Sequence, residues 1–181
     1  MRSLFFLFSI IISASIYSQE RKEYIGKQYP EFKVTTLSGQ TITDEQLKGK
    51  ITLINFWHHQ CSSCLAEMDA LAAIYDEFKD IPSFQFLSFT YNTPAIIKNV
   101  IKKYKMPYLI SSLSEEECLR LKVCESFPVI IIIDRTGKIL YCRVGASKDK
   151  ETNTKIMEPI RQLIKESLGK QHFDPLVDYC F

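Results

Sequence analysis

The chain has 181 residues, 46% of them hydrophobic and 24% charged, which suits one domain with a full apolar core. Its formal net charge of +2 includes Arg2, in a segment expected to be removed, so the mature protein is close to neutral. That balance gives no basis for a nucleic-acid partner or an anionic membrane surface.

The first element, residues 1–18, has the layout of a secretory signal peptide. Arg2 supplies the positive start, Leu4 to Ile12 is almost wholly apolar, and Ser13-Ala14-Ser15 and Tyr17-Ser18 supply small residues. Cleavage is expected after Ser18, with Ser15 the second site. The apolar core falls short of the roughly 20 residues of a comfortable span, and an uncleaved membrane anchor is the alternative. Export places the protein in the periplasm or otherwise outside the cytoplasm, where disulfides persist. Residues 19–170 form the expected domain and 171–181 a tail.

Phe32 to Thr36 and Thr41 to Thr43 flank Ser38-Gly39 as a hairpin. Asp44 can cap a short helix through Leu47, ended by Gly49. Ile51 to Trp57 reads as a buried strand. Leu65, Met68, Leu71, Ala72, Tyr75 and Phe78 recur at helical spacing, so a helix is expected from about Cys61 to Lys79. Phe84 to Phe89 reads as a strand, and Pro94 opens a helix to about Lys105. Lys98, Lys102, Lys103 and Lys105 interleave there with Ile97, Val100, Ile101 and Tyr104, which makes the lysines a solvated face rather than a nucleic-acid site. A short strand follows around Tyr108 to Ile110, and Ser114 precedes three glutamates at a helix start. Val129 to Ile133 is a run of five β-branched residues, hence a buried strand. Asp134 to Gly137 turns it into Ile139 to Val144, and a last helix spans about Asn153 to Leu168. The alternation predicts an α/β fold, with a mixed central sheet, helices on both faces and an N-terminal β-hairpin.

Cys61-Ser62-Ser63-Cys64 stands between the 51–57 strand and the next helix. Two cysteines three apart lie on one helix face and can close a small disulfide ring. A thiol at a helix start meets unpaired N–H groups, which favour the nucleophilic thiolate. The pattern reads as a redox pair. Half of a zinc site is the other reading, but no second CxxC or paired His follows at ligand spacing. No metal or other cofactor is expected. Cys142 is expected to be a small buried residue sharing a strand face with Leu140 and Val144. A Cys118–Cys124 bond is open, and Cys180 is free or paired with any of the others.

The block Asn55-Phe56-Trp57 through Cys61-Ser62-Ser63-Cys64 to Glu67-Met68 resembles the active-site block of the extracytoplasmic TlpA/ResA-like thioredoxins. Ser126-Phe127-Pro128-Val129 and Ile133 to Ile139 resemble that family's second signature, and the helix near 94–105 resembles its insertion. The likeness covers roughly residues 25–168. It implies a thioredoxin-like fold and a thiol–disulfide oxidoreductase with Cys61 and Cys64 as the redox disulfide, acting on protein thiols and disulfides. The expected role is that of a reductant fed by a membrane electron donor.

The resemblance also implies a cis Phe127–Pro128 bond against the CxxC, with the Phe127 backbone free to pair with a client chain. It places a glutamate near the thiols at Glu67, where a carboxylate would oppose thiolate formation and relay protons for Cys64; a solvated helix residue is the other reading. Trp57 is expected as a packing wall at the client-binding site. His58-His59-Gln60 departs from the family pattern, as do Ser62-Ser63, which lack the family's frequent proline. His58 or His59 either favours the thiolate when protonated or faces water. Asn55 stands where cytoplasmic thioredoxins carry a buried aspartate. The rivals are a peroxiredoxin-like peroxidase, which is expected to carry Thr at the place Cys61 takes before Cys64, and a metallochaperone, for which His172 is the only late histidine.

Overall fold

The computed structural model describes residues 18–170. The expected signal peptide, apart from Ser18, and the 171–181 tail with His172 and Cys180 lie outside the described residues. Eight strands and five helices follow in chain order: β1 (Gln19–Glu20), β2 (Lys33–Thr35), β3 (Thr41–Thr43), β4 (Ile51–Phe56), α1 (Ser62–Ala66), α2 (Met68–Phe78), β5 (Phe84–Thr90), α3 (Pro94–Tyr104), β6 (Leu109–Ser112), α4 (Glu115–Lys122), β7 (Val129–Ile133), β8 (Ile139–Val144) and α5 (Lys150–Gly169). Among them no helix is long and apolar enough to cross a membrane.

The main sheet runs β1-β8-β7-β4-β5-β6, and β2-β3 form a separate two-stranded hairpin. β4, β5 and β6 are parallel, whereas β7 runs antiparallel to both β4 and β8. The β-branched run of β7 is buried along its whole length because it lies inside the sheet with covered faces on either side. Leu53, Phe86, Ile130 and Ile132 pack under α2, α3 and α5 through Leu71, Ile74, Ile97, Ile160 and Ile164. On the other face Ile54, Phe89, Ile131 and Ile133 meet α4 and the hairpin through Leu121, Val34 and Ile42.

Four local expectations are corrected. The single helix expected over 61–79 is two, broken at Glu67, whose backbone (φ −89°, ψ −7°) departs from helix geometry. Asp44 does not cap the 44–47 turn: Thr43 does, with Gln46 reaching back to its N–H at 3.2 Å, while the Asp44 carboxylate accepts from the Phe32 N–H. The last helix starts earlier, at Lys150, because Asp149 caps it by accepting from the Thr152 N–H at 2.7 Å. Finally, Leu140 does not share a face with Cys142. The β7–β8 register slips between Ile132 and Ile133, so that Ile133 opposes Ile139 and Ile132 opposes Tyr141. The extra residue turns Leu140 toward the α2/α5 face and leaves Ile139, Cys142 and Val144 on the other.

Candidate functional site

β4 ends at Phe56, and the chain crosses Trp57 to Gln60 before entering α1. Cys61 is the residue ahead of that helix, and its Sγ accepts from the Cys64 N–H at 3.1 Å. Ser63 Oγ lies 3.5 Å from the same sulfur. Cys61 and Cys64 are joined as a disulfide, with Cα atoms 5.2 Å apart. Cys61 is half-buried and Cys64 is wholly enclosed. The more accessible cysteine is therefore also the one whose sulfur is served by an N–H donor, the environment that stabilises a thiolate once the bond is opened.

Beneath the pair lies a buried polar network. Glu67 is fully enclosed and forms an ion pair of 2.7 Å with Arg143 of β8, itself 2% exposed. The Asn55 amide donates to the other Glu67 oxygen at 3.4 Å. Ser88 Oγ donates to Asn55 Oδ1 at 3.4 Å and accepts from Trp57 Nε1 at 2.9 Å. Burial dominates the Glu67 carboxyl and pushes its pKa up to about 7, against the opposing pull of Arg143 and Asn55. Glu67 is thus not a solvated helix residue. With Asn55 in β4 uncharged, the acid of this layer is supplied from the α1–α2 break.

Trp57 is corrected in its expected place at the client surface. It is fully buried, with its indole N–H committed to Ser88, and so supports the site from within. Phe127–Pro128 is a cis bond. The antiparallel pairing of Phe56 with Val129 sets Pro128 opposite Trp57 at the strand ends. Pro128 is buried and Phe127 half-buried, so Phe127 is the part of that pair that meets the surface. Its ring packs edge-on against His58 at 5.1 Å and Tyr91 at 5.8 Å, and His58 stacks on Tyr91. Burial and the neighbouring His59 lower the His58 pKa, which disfavours a charged imidazole there. His59 Nδ1 meets Asn92 Oδ1 at 2.6 Å.

The Cys61 N–H donates to the His58 carbonyl at 3.1 Å, and the His58 ring packs on Phe127. These contacts tie the cysteine pair to the Phe127–Pro128 strand end, with Glu67 at the end of α1, three residues after Cys64. Sequence reasoning missed Arg143, Tyr91, Ser88 and Lys122. Lys122, buried at the end of α4, holds the loop ahead of Phe127 by donating to the carbonyls of Cys124 and Ser126, with its Nζ 4.4 Å from the Phe127 ring centroid. A charged residue among the apolar positions of α4 was the one available signal.

The chain matches the family model described as AhpC/TSA family over residues 25–142. It is 26% identical over 147 residues to the thiol-disulfide oxidoreductase ResA of Bacillus cereus, covering 81% of this chain and 83% of that protein. To the thiol:disulfide interchange protein DsbE of Pseudomonas aeruginosa it is 27% identical, over 78% of each chain. A Chlorobium tepidum crystal structure assigned as a DsbE-type thiol:disulfide interchange protein superposes with a TM-score of 0.70 at 19% identity. It covers 80% of this chain and 98% of that one, and shares the thioredoxin-like fold.

Proposed function

The chain belongs to the AhpC/TSA family and is a thiol–disulfide oxidoreductase, and we propose that it reduces disulfides of protein clients in the cell envelope through Cys61 and Cys64. The observation that carries this reading is the asymmetry of the pair: Cys61 is reachable and its sulfur accepts an N–H bond, whereas Cys64 is enclosed. The Cys61 thiolate attacks one sulfur of a client disulfide, forms a mixed disulfide and expels the other client sulfur as thiolate. Cys64 then attacks Cys61 Sγ, the second client thiolate leaves, and Cys61–Cys64 is oxidised.

A buried Cys64 ionises with difficulty in apolar surroundings and needs a base for the second step. Glu67 stands three residues on, enclosed, with a pKa of about 7, which suits proton transfer near neutrality. Phe127, with His58 and Tyr91, offers the aromatic wall beside Cys61, and the Phe127 backbone, in the bend just ahead of β7, is the segment available to pair with a client strand. The signal-like residues 1–18 support export, and a membrane electron donor would restore the dithiol.

The reduction potential tests the direction. Equilibration in thiol–disulfide buffers is expected to give a value below the approximately −180 mV of protein disulfide isomerase. A value near the approximately −120 mV of a strong oxidant such as DsbA would make the protein a donor of disulfides and overturn the reductant reading.

A further inference from the structure

Three cysteines other than the CxxC are free among the described residues: Cys118, Cys124 and Cys142, all buried. The Cys118–Cys124 bond left open by the sequence is not formed. Instead Cys124, in the loop after α4, lies with its Sγ 3.5 Å from Cys142 Sγ in β8, 18 residues away in sequence. A disulfide holds its sulfurs at about 2.05 Å, and at 3.5 Å these two are already in direct contact. We infer that Cys124 and Cys142 are a second dithiol–disulfide couple, closed by exchange with a small-molecule disulfide, which fastens the loop ahead of Phe127 to β8.

The two sulfurs are not equivalent. Cys142 is fully enclosed, whereas Cys124 retains 7% exposure and lines a surface hollow of about 500 Å³ with Leu119, Arg120, Val123 and Glu125. A small disulfide entering that hollow meets Cys124 first. Either thiol can donate across the 3.5 Å contact; with Cys142 donating to the more accessible Cys124, the Cys124 pKa is lowered and that of Cys142 raised. Arg21 and Lys122 favour negative charge on Cys124 and Glu23 opposes it. Cys118, pushed up to about 12 by burial, has no comparable sulfur contact among the described residues, whereas Cys124 and Cys142 touch.

The chemistry balances without any further reactant. The Cys124 thiolate attacks one sulfur of the small disulfide, giving a mixed disulfide and one small thiolate. Cys142 gives up its proton and attacks Cys124 Sγ, and the second small thiolate leaves. Two protein thiols are oxidised, one small disulfide is reduced to two thiols, and the protons end on those thiols. Closure ties the loop at one more point than the Lys122 bonds to the carbonyls of Cys124 and Ser126.

The test is independent of the Cys61/Cys64 reading, because it uses the full chain carrying Cys61→Ser and Cys64→Ser. This protein is treated with oxidised glutathione, its free thiols are alkylated, and unreduced peptides are mapped by mass spectrometry. The expected product is the Cys124 peptide joined to the Cys142 peptide with the loss of two hydrogens, reopened by dithiothreitol. Adding Cys142→Ala is expected to stall the reaction at a glutathione adduct on Cys124. Both cysteines recovered alkylated, Cys124 joined to Cys118 or Cys180, or no adduct in the Cys142→Ala chain would each overturn the inference.

Discussion

Arg143 reaches from β8 to Glu67 at the α1–α2 break and closes a 2.7 Å ion pair with both side chains sealed from water. Such a pair adds little net stability over a well-packed apolar replacement, yet losing one partner strands the other charge. Arg143→Met is therefore expected to lower unfolding free energy by about 3–5 kcal/mol near pH 8. The double change Arg143→Met, Glu67→Gln should recover much of that loss. Denaturant unfolding of the two variants checks this, and equal instability of both would mean the pair is not coupled.

The raised Glu67 pKa fixes a sign. A carboxyl whose folded pKa of about 7 exceeds its ordinary 4.5 binds its proton more tightly in the folded protein. Its contribution is fullest below pH 4.5, declines as pH rises from 4.5 to 7, and is flat above. Glu67→Gln should remove that slope, so the variant gains on wild type across this window by an amount on the order of a few kcal/mol. Parallel stability curves for the two proteins from pH 4.5 to 8 would contradict it.

Removing the same carboxyl is also expected to ease thiolate formation in the reduced protein. Thiolate absorbance titrated against pH should shift to lower pH for Cys61 or Cys64 in Glu67→Gln, because a neighbouring negative charge raises a thiol pKa. Superimposed titrations would confine Glu67 to a structural role.

Attack and resolution are separable by trapping. Cys64→Ser leaves the reachable sulfur without its enclosed partner, so mixed disulfides with client proteins should accumulate on Cys61 and disappear on reduction. Cys61→Ser should accumulate none. The reverse pattern would exchange the two roles.

Phe127→Ala removes the ring that meets His58 and Tyr91. If that wall docks clients, kcat/KM for a protein disulfide should fall about tenfold, equivalent to roughly 1.4 kcal/mol of contact. Exchange with a small disulfide at Cys61 should change much less. An equal fall for both substrates would assign Phe127 to site architecture instead of client contact.

Much of this was legible in the chain because it is written in local pattern. The five β-branched residues of β7 have no exposed arrangement available, and Pro94, Ser114 and Gly39 mark ends and turns by their own backbone chemistry. The CxxC is likewise a local signal. What escaped depends on contacts made across the sheet. Arg143 sits among strand residues and finds Glu67 76 positions away. The slip beside Ile139 breaks the alternation that placed Leu140 with Cys142. Helical periodicity runs unbroken through Glu67, since its apolar neighbours keep their spacing while the backbone itself turns.

β8 carries Cys142 and Arg143 side by side, and successive strand residues point to opposite faces. Cys64 belongs to the packed layer on one side of the sheet, and Cys124 and Cys142 to the layer on the other. Thiol–disulfide exchange requires one sulfur to strike another directly. The sheet is consequently an insulator: electrons delivered at Cys61 do not reach Cys124 within one molecule. The two sulfur pairs therefore hold independent oxidation states, and one chain exists in four redox forms, each populated by whichever reagents reach its own side.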